Sequence, residues 1–185
     1  MVERAEQLTA IHGAFDWVFN GEEKERNANI LKWFINDATG ALPLHKGLLF
    51  YGLPGTSKTE IMSAMMKLAH SSKLTKSFEI NQMSKIYELT MTDKNYNPIG
   101  SNVQQSRCFD EFLRFEGSVS VWGNLINVNE SIIEQRYLRF SRYGQLTHFI
   151  ANFTPNDIQK KLTPMAFDRL RQMTTGVYFK GESKR

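Results

Sequence analysis

The 185-residue sequence predicts an α/β fold built on a mainly parallel sheet of five strands. Two observations predict it. From residue 47 onward, short apolar runs alternate with stretches of helical periodicity, the pattern of strand–helix units whose sheet is covered by helices on its faces. One glycine-rich stretch, Gly52 to Thr59, joins the first such run to the first such helix.

The elements follow in order. Leu8, Ile11, Phe15 and Phe19 recur at spacings of three and four, one face of a helix. A similar stripe surrounds Ile30, Trp33, Phe34 and Ile35, and Gly40 and Pro43 break it. Residues 1–46 therefore read as a short helical N-terminal segment, and 47–185 as the core. Leu48 to Tyr51, bounded by Gly47 and Gly52, reads as a buried strand. Ile61, Met62, Met65, Met66 and Leu68 line a helix. Phe78-Glu79-Ile80 is a second strand, with a short helix near Ile86 and Leu89. The polar stretch from Thr92 to Ser106 is a loop long enough to be functional. Arg107 to Asp110 ends a third strand. A helix over Glu130 to Tyr143 takes Gly144 as its cap, with Arg139 and Arg142 in its last turn. Thr147 to Ala151 is a fourth strand. Thr154-Pro155 and Thr163-Pro164 each open a helix, with Thr as cap and Pro at the first helical position. Val177-Tyr178-Phe179 is the fifth strand.

Composition narrows the class. Lys plus Arg exceed Asp plus Glu by 23 − 19 = +4, a mild basic balance that suits an acidic partner such as nucleic acid. The single Cys108 makes no internal disulfide and no multi-cysteine zinc site, which suits a cytoplasmic protein. No run of about 18 apolar residues is present, so no membrane span is expected.

Gly52-Leu53-Pro54-Gly55-Thr56-Ser57-Lys58-Thr59, with Glu60 after it, is the sharpest feature. At a strand-to-helix junction, backbone N–H groups and the helix N-terminus converge on phosphates. Lys58 would bring a point charge to the β/γ oxygens, and the Thr59 hydroxyl would ligate Mg²⁺. The strict pattern has Gly where this chain has Ser57, so one Cβ and a hydroxyl intrude where the backbone approaches the phosphates. ATP with Mg²⁺ is the implied cofactor pair.

A nucleotide hydrolase also needs a carboxylate for Mg²⁺ and a base for water. Asp110 and Glu111, at a strand end some fifty residues after Lys58, supply that pair: Asp110 for the metal, Glu111 as general base. Asn152, ending the next strand, can hold the attacking water, whereas His148 inside that strand reads as a core residue. Arg169 can reach a neighbouring copy's γ-phosphate, and Arg185 can serve as a second phosphate sensor in cis. For DNA, Lys67, Lys73 and Lys76 form one basic cluster. Arg136, Arg139 and Arg142 form another, with Tyr137, Phe140 and Tyr143 near enough to stack on bases.

The stretch from Lys46 to Gly52, with Lys58-Thr59, resembles AAA+ ATPases of the DnaC helicase-loader type and the IstB-type helpers of insertion-sequence transposition. Gly123-Asn124, Asn127-Val128, Arg136-Tyr137, Gly144 with Thr147-His148, Asn152, Asp168-Arg169-Leu170 with Met173, and the closing Gly181 to Arg185 continue the likeness in order. The resemblance implies a three-layer P-loop core that oligomerises with nucleotide at subunit interfaces. It also implies single- or double-stranded DNA as a partner, and work on a replicative helicase or a transposase. It matches Asn152 to sensor one, Arg169 to the arginine finger and Arg185 to the second sensor. Two other readings stay open: a nucleotide-binding adaptor with little turnover, and a small-molecule kinase with the same loop.

Overall fold

The structure, a computed structural model, describes residues 23–71, 76–92, 105–116, 118–121 and 123–180. The helix expected over Leu8 to Phe19, most of the polar stretch 92–106, Lys73 and Arg185 lie outside the described residues.

The chain divides into two compact units, one running to Leu44 and resuming over Thr59–Phe78, the other made of His45–Lys58 and the chain from Glu79 onward. In the first unit, α1 (Lys24–Phe34) buries Ile30, Trp33 and Phe34 completely, three of the four residues of the expected stripe, whereas Ile35 follows the helix and is 45% exposed. Phe34 stacks on Phe78 at 5.6 Å between ring centroids, and Trp33 meets Phe34 edge-on at 4.8 Å. The chain after α1 is tied back by Trp33 Nε1 donating to the Pro43 carbonyl (2.9 Å) and by Ala41 N donating to Asn29 Oδ1 (2.9 Å). The helix α2 (Lys58–Ser71) buries Ile61, Met62, Met65, Leu68 and Ala69, again at helical spacing.

The second unit holds the sheet. Its strands are β1 (Gly47–Gly52), β2 (Phe78–Gln82), β3 (Ser106–Asp110), β6 (Thr147–Ala151) and β7 (Thr174–Phe179), in the order β2-β3-β6-β1-β7. β6 lies between β1 and β3 and is parallel to both, and β7 is parallel to β1. All five expected strands are present. Leu49, Phe109 and Phe149 share one face through the register Leu49↔Phe149 and Phe109↔Phe149. That face joins a core with Met83, Ile86, Phe112, Ile132, Ile133, Leu170 and Met173. Leu48, Phe50, Cys108 and Ile150 alternate to the opposite face and are buried too, which is why Leu48 to Tyr51 reads as an unbroken apolar run.

The helices of this unit are α3 (Met83–Thr92), α4 (Val128–Tyr143), α5 (Pro155–Lys161) and α6 (Pro164–Met173). The caps at Thr154, Thr163 and Gly144 form as expected. Thr154 completes a capping box with Asp157, Thr163 accepts from Ala166 N, and Gly144 takes a left-handed φ of 64° while donating to the Phe140 carbonyl at 2.9 Å. α4 begins two residues earlier than its apolar pattern suggests, because the Asn127 side chain caps it by accepting from Glu130 N (3.2 Å). One element was not expected at all: an antiparallel hairpin of β4 (Val119–Val121) and β5 (Asn124–Ile126), turned at Gly123 with φ 80°. Among the described residues, no helix is long and apolar enough to cross a membrane.

Candidate nucleotide-binding site

Because β1, β6 and β3 run parallel, their C-terminal ends share one edge of the sheet. The register Tyr51↔Ala151 puts Gly52 level with Asn152. With roughly 4.8 Å between neighbouring strands, the ends of β1 and β3 stand about 10 Å apart with the end of β6 between them. This edge therefore gathers the loop 52–58, Asn152, Asp110 and Glu111. Crevices of that kind, at the carboxyl ends of parallel strands, are where ligands bind in open α/β sheets.

The loop is held by its own atoms. Gly52 has φ 136°, and a Cβ there would lie 2.3 Å from the Phe179 carbonyl oxygen, so only glycine fits. Gly55 and Ser57 are also left-handed, at 77° and 60°. The Thr56 hydroxyl donates to the Leu53 carbonyl (2.8 Å). Lys58 is only 4% exposed, and its Nζ donates to the carbonyls of Gly52 (3.1 Å) and Leu53 (2.7 Å) and to Thr56 Oγ1 (3.1 Å). A buried ammonium needs acceptors, and the loop supplies them. Phosphate oxygens are acceptors of the same kind with more charge, so they can replace the carbonyls. Thr59 and Glu60 follow in the first turn of α2.

On the neighbouring strand end, Asp110 is 4% exposed. Its carboxylate accepts from Glu111 N (2.8 Å) and from Gln82 Nε2 (2.9 Å). Glu111 is left-handed, with φ 58°, and its carboxylate pairs with the Arg114 guanidinium. Phe112 N donates to the Ile150 carbonyl (2.8 Å), which stitches this turn to β6. Gln82 and Arg114, the contacts of this acidic pair, were not anticipated from the sequence. Arg114 sits three residues after Glu111, a visible spacing, whereas nothing local marks Gln82.

Asn152 is exposed just beyond β6. His148 is buried, and its Nδ1 accepts from Leu48 N (3.2 Å), the core role expected of it. Arg169, on α6, contacts Glu134 through NH1 (3.2 Å) and lies over the Tyr137 ring (5.6 Å).

Two of the residues proposed to face DNA do not face solvent. Arg136 is 6% exposed and donates to Thr147 Oγ1 (2.7 Å) and to the carbonyls of Gln105 (3.2 Å) and Leu146 (3.1 Å). Burial, helped by the nearby positive Arg107 and Arg139, pulls its pKa down to about 10. It ties α4 to the start of β6. Lys76 donates to the Trp33 carbonyl (2.9 Å) with its ammonium 3.6 Å from the Trp33 ring centre, and burial lowers its pKa to about 8. A charge at helical spacing looks like a solvated face in sequence, and these two are exceptions because each finds acceptors inside. Tyr137 and Phe140 pack partly against the core. Lys67, Arg142 and Tyr143 remain exposed, with Arg139 over the Tyr143 ring at 5.4 Å.

Among the described residues, no group of three or more His, Cys, Asp or Glu side chains could hold a metal ion. A Mg²⁺ ion carried by a nucleotide keeps its waters and phosphates and takes only one or two protein oxygens. A threonine hydroxyl and a carboxylate are the hard oxygen donors it prefers.

No family model matches this chain, and no curated protein sequence matches it. Solved structures do. A DnaI crystal structure superposes with a TM-score of 0.65 at 15% identity, covering 90% of this chain and 86% of that one. The DnaC helicase loader gives 0.62 at 15% identity, covering 87% and 92%. AMPPCP-bound DnaA from Aquifex aeolicus gives 0.59 at 11% identity, covering 85% of this chain and 47% of that one. At such identities the likeness is one of fold: this chain has the fold of the DnaI structure and of the DnaC helicase loader.

Proposed function

We propose that this protein is an ATP-binding AAA+ ATPase of DNA replication, loading a helicase, or of mobile-element transposition, where it serves a transposase. The observation that carries the reading is the convergence on one sheet edge of the Lys58 loop, the buried Asp110 with Glu111 beside it, and Asn152 on the strand between them. Bound Mg-ATP would supply an activated γ-phosphate. Gly52 to Lys58 cradle the phosphates through backbone N–H groups, and Lys58 exchanges its loop carbonyls for phosphate oxygens. If Mg²⁺ accompanies the nucleotide, the Thr59 hydroxyl and the Asp110 carboxylate are the oxygens that would hold it, with Glu60 next in the binding segment. Glu111, released from Arg114, takes the proton of a water that Asn152 holds. Arg169 from a neighbouring copy and Arg185 from the same copy meet the developing charge.

The neighbours' own descriptions support the choice of partners. DnaC is described as a helicase loader, and one DnaA structure holds single-stranded DNA with AMPPCP. Residues 1–46, the exposed Arg142 and Tyr143, and the half-buried Arg139 beside them are what we assign to partner and DNA. The decisive measurement is Lys58→Ala, which lowers ATP affinity by about 100-fold or more if the loop binds phosphate. Unchanged affinity would sink the assignment. Sizing with and without ATP, Mg²⁺ and single-stranded DNA tests the oligomer, since a strict monomer under every condition contradicts assembly through nucleotide.

A second reading, a nucleotide-binding adaptor with little turnover, draws on two observations: the left-handed Ser57 and the Glu111 carboxylate held by Arg114. Steady-state hydrolysis with and without DNA separates the two readings.

A further inference from the structure

Arg169 does not project as a loose surface side chain. Its NH1 lies 3.2 Å from Glu134 Oε1, and its guanidinium lies over the Tyr137 ring at 5.6 Å. Glu134 and Tyr137 stand one turn apart on α4, so both address the same point on α6. The ring is itself fastened. Tyr137 OH donates to Gln172 Oε1 (2.6 Å), and Gln172 Nε2 donates to Asp168 Oδ2 (2.6 Å). Asp168 and Gln172 are on the helix that carries Arg169, one turn apart. The chain Glu134–Arg169–Tyr137–Gln172–Asp168 thus fixes a charged side chain against a rigid plate. A guanidinium has five N–H donors in a planar fork, so one contact to one carboxylate oxygen leaves others to face an anion.

We propose that Glu134 and Tyr137 are positioning residues for Arg169, holding its guanidinium in one pose for a phosphate on a second copy of this chain. The inference rests on the proposed trans role of Arg169. A long arginine that must be ordered at the moment of contact loses rotamer freedom there, and one already held loses less. Glu134 also balances the guanidinium charge before a partner arrives.

The test mixes two variant full-length chains with ATP, Mg²⁺ and single-stranded DNA. Acceptor copies carry Arg169→Ala and keep their nucleotide site, and donor copies carry Lys58→Ala and keep the arginine. Each alone is inactive, and the mixture hydrolyses ATP. Adding Tyr137→Leu to the donor lowers the mixed rate about threefold to fivefold, the worth of an exposed cation–π contact. Glu134→Gln in the donor lowers it about twofold, as for an exposed ion pair. Tyr137→Phe keeps the ring but loses its bond to Gln172, so it lowers the mixed rate less than Tyr137→Leu does. The same substitutions in the acceptor leave the rate unchanged. Equal losses in donor and acceptor show a merely structural tie between α4 and α6 and overturn the proposal. A faster rate with Glu134→Gln in the donor overturns it too, since the carboxylate would then be withholding the arginine. If the parent mixture is inactive while the wild-type chain hydrolyses ATP, the trans role of Arg169 fails, and the positioning proposal fails with it. Glu134→Gln changes only a half-exposed side chain, so a folding defect in Tyr137→Leu still leaves a usable variant.

Discussion

The turns that end β1 and β3 meet the same demand with different residues. Each must lift the chain off a parallel strand and present polar groups at the sheet edge. The loop after β1 places glycine at two of its three left-handed positions, Gly52 and Gly55, and a small residue, Ser57, at the third. The turn after β3 has two left-handed positions and no glycine, with Glu111 at 58° and Leu113 at 64°. Each such L-residue costs about 1–2 kcal/mol. The second turn persists because its neighbours are buried: Phe112 is fully buried and Leu113 is 2% exposed, and Phe112 packs its ring 4.6 Å from Phe149. The first loop lacks that anchor at its tip, where Leu53 is 59% exposed, and leans on Thr56 and Lys58 bonded to its own carbonyls. One turn is held by the core and carries a carboxylate. The other is held by a cation that a nucleotide can recruit. One turn is fixed by packing, and the other by polar bonds among its own atoms.

The comparison breaks most sharply at Phe112. Phe112→Ala removes a fully buried ring and destabilises the chain by about 3–5 kcal/mol. Tm then falls by roughly 6–20 °C, read by thermal or urea unfolding. Below the new Tm, ATP still binds the 52–58 loop while hydrolysis is lost, because only the β3 turn has lost its anchor. Equal damage to binding and hydrolysis would mean that the two turns are not independently held. Next in size is Glu111→Gln, which keeps the side-chain shape at the left-handed position but cannot take a proton. Hydrolysis falls about 100- to 1000-fold with ATP affinity retained, measured by phosphate release beside a binding titration. A small loss would return the chain to the adaptor reading.

What the sequence disclosed and what it hid follow the same division. The strand at 47–52 was legible because burial on both faces makes Leu48 to Tyr51 an unbroken apolar run, and those at 106–110 and 147–151 because the short apolar cores Cys108-Phe109 and Phe149-Ile150-Ala151 recur in a strand–helix alternation. Thr154, Thr163 and Gly144 were legible because capping depends on the residue itself and its immediate neighbours. The hairpin of β4 and β5 was not, since its strands are three residues each and no Asn-Gly or Asp-Gly stands between them in the sequence. The left-handed Glu111 and Leu113 were invisible for a deeper reason: no local signal favours φ > 0 at Glu or Leu, and only distant packing imposes it. The partners Gln82 on Asp110 and Glu134 on Arg169 join residues 28 and 35 positions apart, which periodicity cannot read. Strand order was equally hidden, although it is what sets Asn152 between the loop and Asp110.

The smallest effect sharpens the comparison most finely. Ser57→Gly removes the left-handed penalty of about 1–2 kcal/mol. It adds unfolded-chain freedom worth about 0.5–1 kcal/mol in the other direction. The net expectation is a gain of roughly 0.5–1 kcal/mol and a Tm higher by about 1–4 °C. ATP should also bind a few-fold more tightly, because the loop backbone no longer carries a Cβ toward the phosphates. Glu111→Gly relieves a similar backbone strain, so it too raises Tm, but it removes the carboxylate and abolishes hydrolysis. The pair separates strain that serves chemistry from strain that merely accompanies it. If Ser57→Gly lowers Tm, the serine hydroxyl contributes a bond worth more than the strain, and the loop is then no less side-chain-anchored than the turn it is contrasted with.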